Sequence, residues 1–147
     1  MKFIQTKSIT KSIFAIAATV LILFYFGSCA KKISFQNSSV VPAARGDVKV
    51  KKDNNNNYSI QISLNNLSEP NRLQPSKNTY VVWMETDDHA TKNIGQINSS
   101  TGFLSGKLKA SFETVSSTKP TKIFLTAEDD ASIQYPGSPV ILTTNGF

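Results

Sequence analysis

The sequence is poor in the residues that usually build a catalytic or metal centre. Its 147 residues include one cysteine and one histidine. A lone cysteine excludes an intrachain disulfide, so the fold must rest on its apolar core. No run of arginines exists, and the aromatic residues are not interleaved with basic ones, so the footprint of a nucleic-acid binder is missing. There is no glycine-rich phosphate loop, no nucleophile elbow and no pair of catalytic acids, and an enzyme is not expected. Long hydrophobic runs are scarce as well. The one extended run, Ile13–Phe26, has 14 residues. As a helix it spans ~21 Å at 1.5 Å per residue, short of the ~30 Å hydrocarbon core of a bilayer.

What stands around that run gives it meaning. Lys2, Lys7 and Lys11 precede it, and Phe26-Gly27-Ser28-Cys29 closes it. A basic lead, a short apolar segment and small residues at the exit are the layout of a secretory signal. The exit resembles a bacterial lipoprotein box, in which a bulky apolar residue and two small residues lead into the cysteine that becomes lipidated. The resemblance implies a helical signal peptide over residues 1–28 and a diacylglycerol on the Cys29 sulfur. It also implies cleavage before Cys29 and acylation of the new amino group. Several chains on one residue anchor firmly, since each buried CH₂ contributes ~0.8 kcal/mol and one chain alone is marginal. The alternative is an uncleaved membrane anchor, because adding Gly27–Ala30 lengthens the uncharged run to 18 residues, the lower edge of a spanning helix. In both cases the lysine-rich lead stays inside and the remainder is exported.

Beyond Cys29, 118 residues remain, the size of one domain that buries about two thirds of its unfolded surface. Three of the 16 basic residues fall in the signal, leaving 13 against 10 acidic residues, a net charge of +3. Residues 29–45 read as a lipid-anchored flexible tether, with Lys31-Lys32, polar Gln36–Ser39 and then Pro42. Lys31 and Lys32 beside the lipid can lean on anionic headgroups at ~1 kcal/mol each; a merely solvated linker accounts for them equally well. By resemblance to known sorting signals, Ala30 lacks the aspartate of inner-membrane retention, and the segment lacks the acidic cluster that directs lipoproteins to the outer surface. The expected location is the bacterial cell envelope, on the outer membrane facing the periplasm.

From Gly46 the hydrophobic period becomes two, the mark of strands with one buried face. Val48 and Val50 alternate with Asp47, Lys49 and Lys51; Ile60, Ile62 and Leu64 alternate with Ser59, Gln61 and Ser63. The turn-formers Asp53–Asn57 between them predict a hairpin. Tyr80–Met84 is apolar at every position, as in a central strand covered on both sides. Further strands are expected at Ile94–Ile97, from Leu104 to Phe112, at Ile123–Ala127 and at Val140–Thr143, with all six prolines in loops. Seven short strands and no helical period predict an all-β domain over residues 46–147, an antiparallel, immunoglobulin-like β-sandwich.

Taken together these segments resemble the extracytoplasmic domain of anti-sigma-K factors. The residues carrying the resemblance are Gly46, Leu67 with Pro70, Tyr80 with Trp83, Ile94-Gly95, Gly102, Glu128, and Pro136 with Pro139. The resemblance implies a sandwich and a role in envelope sensing or protein interaction. The sigma-binding domain of that family has no counterpart, because the 12 residues ahead of Ile13 are too few to fold.

Three constellations invite chemistry. Asp87-Asp88-His89 sits where a hairpin tip is expected, with no partner on a rigid element to make a triad or metal site, and reads as a solvated turn. Glu128-Asp129-Asp130 with Asp87 and Asp88 offers oxygen ligands of the kind Ca²⁺ takes, but the spacing is not that of a dedicated loop; no metal or cofactor is assigned. Trp83, Tyr80, Tyr58 and Tyr135 are the aromatic candidates for stacking on a sugar. Trp83 is expected in the core, which leaves Tyr135, beside Pro136-Gly137, as the exposed ligand contact. The expected partners are the membrane, through lipid on Cys29, and an unidentified envelope protein, with no nucleic acid. The competing expectation is a glycan- or cell-wall-binding lipoprotein.

Overall fold

The computed structural model describes residues 30–97, 100–101, 108–137 and 139–147. The expected signal segment over residues 1–28, Cys29, Gly102 and Leu104 lie outside the described residues. Nine strands are present among those described: β1 (Lys31–Ser34), β2 (Arg45–Lys52), β3 (Tyr58–Asn65), β4 (Thr79–Thr86), β5 (Thr91–Ile97), β6 (Ser100–Thr101), β7 (Leu108–Ser116), β8 (Pro120–Glu128) and β9 (Val140–Thr143). One sheet runs β1-β2-β3-β7-β6 and the other β5-β4-β8-β9, with every pairing antiparallel. Setting β1 aside, this is the strand order of an immunoglobulin-like sandwich, four strands on each side.

Period-two alternation carries the fold. Ile60, Ile62 and Leu64 of β3 face Val48 of β2 on one side of the core. Tyr80, Val82 and Met84 of β4, with Ile123, Leu125 and Ala127 of β8, face them from the other sheet. The intervening residues of β4 are buried too, as its continuous apolar run predicts. Val81 and Trp83 point away from the main core and form a second cluster with Phe124 of β8, closed over by Ile133 of the β8–β9 loop. Trp83 is fully buried there, stacked on Phe124 with ring centres 6.3 Å apart, and its indole N–H donates to Thr126 Oγ1 at 2.8 Å. The pull of the loop onto this face comes from Asn93, whose side-chain amide donates to the carbonyls of Ala131 and Ile133 at 2.8 and 2.9 Å.

Two features tie the sheets at their edges. Gly95 of β5 has φ +136° and packs on the Phe112 ring, 2.8 Å from where a Cβ would stand, so only glycine fits both the backbone and the space. On the opposite edge the chain leaving β1 crosses between sheets. The Phe35 N–H donates to Gly46 O, and the Gln36 N–H donates to Thr143 O at 2.8 Å.

That crossing corrects the expectation of a flexible tether over residues 29–45. Lys31–Ser34 is an edge strand of the first sheet, and Phe35, Val41 and Ala44 lie in the main core. The loop between is held by Ser38, a buried residue whose Oγ accepts the N–H groups of Val40 and Val41 at 3.2 and 2.9 Å. The described fold therefore reaches back to Lys31, and the lysines that look like linker residues are those of a short, charged edge strand, a pattern that discourages edge-to-edge pairing. Two smaller corrections concern boundaries. β5 starts at Thr91, which confines the preceding turn to residues 87–90, and Pro120 is the first residue of β8 and not a loop residue, a position that needs no ladder donor.

Candidate functional site

Strand direction sorts the loops into two ends. Lys31 pairs with Val50, so residue 30 enters beside the β2–β3 hairpin. The β4–β5 turn, the β7–β8 turn and the C-terminal residues share that end: Thr86 pairs with Pro120, Tyr58 pairs with Ser116, and Lys31 Nζ sits 5.4 Å from the centre of the Phe147 ring. Turns here are short. The Asp53 carboxylate closes the hairpin by accepting the N–H groups of Asn55 and Asn57, both at 2.8 Å. These backbone bonds, that of Asn57 foremost, hold its carboxyl below the usual 3.8.

The β1–β2, β3–β4 and β8–β9 connections leave from the opposite end. The β3–β4 loop packs inward through Leu67, fully buried, and through the Tyr80 hydroxyl, which donates to the Ser68 carbonyl at 2.8 Å. Burial pushes the Tyr80 phenol up to about 12. The β8–β9 loop is fastened to its neighbour by Lys77 to Asp129 (2.8 Å) and by Asn78 Nδ2 to the Asp129 carbonyl (3.0 Å).

Of the sequence-predicted candidates, Tyr135 is where an accessible contact must be, 84% exposed on the β8–β9 loop. Just before it, Ser132, Ile133 and Gln134 face Thr91, Lys92 and Asn93 across a groove of about 470 Å³. The other aromatics are not brought to it. Trp83 and Tyr80 are buried, and Tyr58 lies at the hairpin end beneath Lys52, whose Nζ is 5.8 Å from its ring centre.

Asp87, Asp88 and His89 form an exposed turn in which His89 takes φ +60°. The Asp88 carboxylate accepts from the Thr86 hydroxyl and from the Ala90 N–H, and these bonds lower its pKa, Thr86 the more. The second acidic cluster is likewise spent on structure. Glu128 is buried and accepts the Gly137 N–H at 2.8 Å. Asp129 pairs with Lys77, and Asp130 binds the N–H and hydroxyl of Ser132, which lowers its pKa. The three carboxylates turn to separate partners, and among the described residues no group of three or more His, Cys, Asp or Glu side chains is placed to hold a metal ion.

One constellation escapes a reading by motif. Lys32 stands directly across from Lys49, and Lys31, Lys51 and Lys52 lie beside them, all exposed. Its only trace in the sequence is lysine at alternate positions of β2, together with the Lys31-Lys32 pair.

The fold thus defines the chain as an all-β sandwich of immunoglobulin-like strand order. Among the described residues no helix is long and apolar enough to cross a membrane. Compared with known families, curated proteins and solved structures, the chain matches no family model, no curated protein and no solved structure.

Proposed function

We propose that this is a lipid-anchored, non-catalytic envelope protein, attached through Cys29 and presenting its sandwich for protein recognition or sensing in the periplasm. The observation that supports the reading is the polarity of the domain. The chain enters at the end of short turns, and the three long connections leave from the opposite end. A lipid on Cys29 holds the first end at the membrane and leaves the β1–β2 and β3–β4 loops facing away from it, while the β8–β9 loop folds back along the outer face of the second sheet. The likeness to the anti-sigma-K extracytoplasmic module belongs to this proposal as far as sensing is concerned; sigma binding is not part of it.

The test is in-cell cross-linking of the full-length protein, followed by capture and mass spectrometry. One dominant envelope protein is the expected result, and cross-links to abundant bystanders alone overturn it. A second reading, binding of glycan or cell wall, is favoured by Tyr135, 84% exposed beside a groove lined with amide and hydroxyl side chains. Aromatic faces with such neighbours suit sugar rings. It predicts retention on peptidoglycan or polysaccharide that Tyr135→Ala abolishes, and no retention of the wild-type protein removes it.

A further inference from the structure

We propose that the lysine-lined edge of the first sheet lies directly on an anionic lipid surface, so that the domain rests against the bilayer at a fixed tilt. The proposal rests on the reading of Cys29 as the anchored residue. β1 begins at Lys31, and two residues of extended chain span at most ~7 Å. No slack separates the lipidated position from the folded sheet, so whatever the hairpin end of β1 and β2 exposes meets the headgroups.

That end exposes lysine. Residues directly opposite in an antiparallel pair share a face, which puts Lys32 and Lys49 side by side on the outer surface, with Lys51 two residues along β2. Lys31, opposite Val50, and Lys52 alternate to the other face of the pair, where they lie over the Phe147 and Tyr58 rings and add charge to the same edge beside the hairpin. Among the described residues, Lys32 makes an ion pair, with Asp47 at 3.1 Å; Lys31, Lys49, Lys51 and Lys52 make none. Like charges placed directly across a ladder weaken it, so the arrangement is unfavourable in isolation and is relieved by a surface of opposite sign. The acidic groups set the tilt. The hairpin carries one exposed carboxylate, Asp53, among its lysines, whereas exposed Asp87 and Asp88 stand together on the turn of the other sheet at the same end. An anionic surface draws the β1–β2 edge down and repels the β4–β5 turn.

Each lysine near an anionic leaflet is worth about fivefold in partition, so removing three weakens the contact by about a hundredfold. The experiment uses the full-length protein purified from the membrane and reconstituted into vesicles. A fluorophore on Asn55→Cys, at the hairpin tip, reports quenching by a headgroup-borne quencher. Strong quenching is expected in phosphatidylglycerol-containing vesicles. It is expected to be lost in phosphatidylcholine vesicles, in high salt, where the screening length falls to ~3 Å, and in the Lys49→Gln, Lys51→Gln, Lys52→Gln variant. These three positions are exposed, so the fold tolerates the change. Quenching that ignores lipid charge and the variant overturns the proposal alone. A Cys29 that takes the fluorophore, and so carries no lipid, overturns the anchor reading and this proposal with it.

Discussion

Truncating Phe35 to alanine separates a structural N-terminal segment from a tether. Phe35 is 8% exposed and packs in the main core; its own N–H bonds to the first sheet and that of Gln36 to the second. An aromatic side chain buries about 150–250 Å², which at ~25 cal/mol per Å² gives about 4–6 kcal/mol as an upper bound. Measured Phe→Ala losses run about 3–5 kcal/mol. Phe35 lies at the margin of the core, where the chain can partly relax into the vacated space, so the lower end, ~3 kcal/mol, is expected. With a urea slope of ~1.5 kcal/mol per M for a domain of this size, the midpoint falls by about 2 M. Trp83, the only tryptophan and fully buried, supplies the fluorescence signal for the titration. A tether residue would change stability by no more than ~0.5 kcal/mol. A midpoint unchanged by Phe35→Ala would refute the docking of residues 31–44.

Two other expectations concern the loops. Asn93→Ala removes both amide bonds to the β8–β9 loop; acrylamide quenching of Trp83 should rise and the loop amides exchange faster, at a cost of about 1–3 kcal/mol, whereas unchanged quenching would mean that the loop is held by other contacts. Asp53 has a folded pKa below its ordinary 3.8, so the unfolded chain binds the proton more tightly. Its contribution is fully present above pH ~4 and is lost as pH falls through the lower folded value. An NMR titration of Asp53 should give a midpoint under 3.8 that rises in Asn57→Pro, which lacks the donating N–H; a midpoint at or above 3.8 in the native protein would contradict the hairpin closure.

Much of the sandwich was legible because alternation is a local signal. Ile60, Ile62 and Leu64 against Gln61 and Ser63 name β3 and its buried face without any knowledge of partners. The unbroken run of β4 announced cover on both sides, but not what supplied it. Ile133 reaches Trp83 where Asn93, some forty residues earlier, captures the loop carbonyls, and no local pattern encodes a contact of that range. β1 was hidden for another reason. Four residues with two lysines carry too little periodicity to stand out, and Phe35, Val41 and Ala44 are spaced irregularly because the segment crosses between sheets and does not follow one. Tyr135 was legible as an exposed residue from its Pro-Gly neighbours. The lysine edge was not, because it exists only once β1 pairs with β2.

The most direct test of the anchored-domain account is mass spectrometry of the N-terminal peptide of the protein isolated from membranes. The account predicts a chain that begins at Cys29 and carries a diacylglycerol on its sulfur and an acyl chain on its amino group. An intact N-terminal segment with an unmodified Cys29, or cleavage elsewhere, would contradict it.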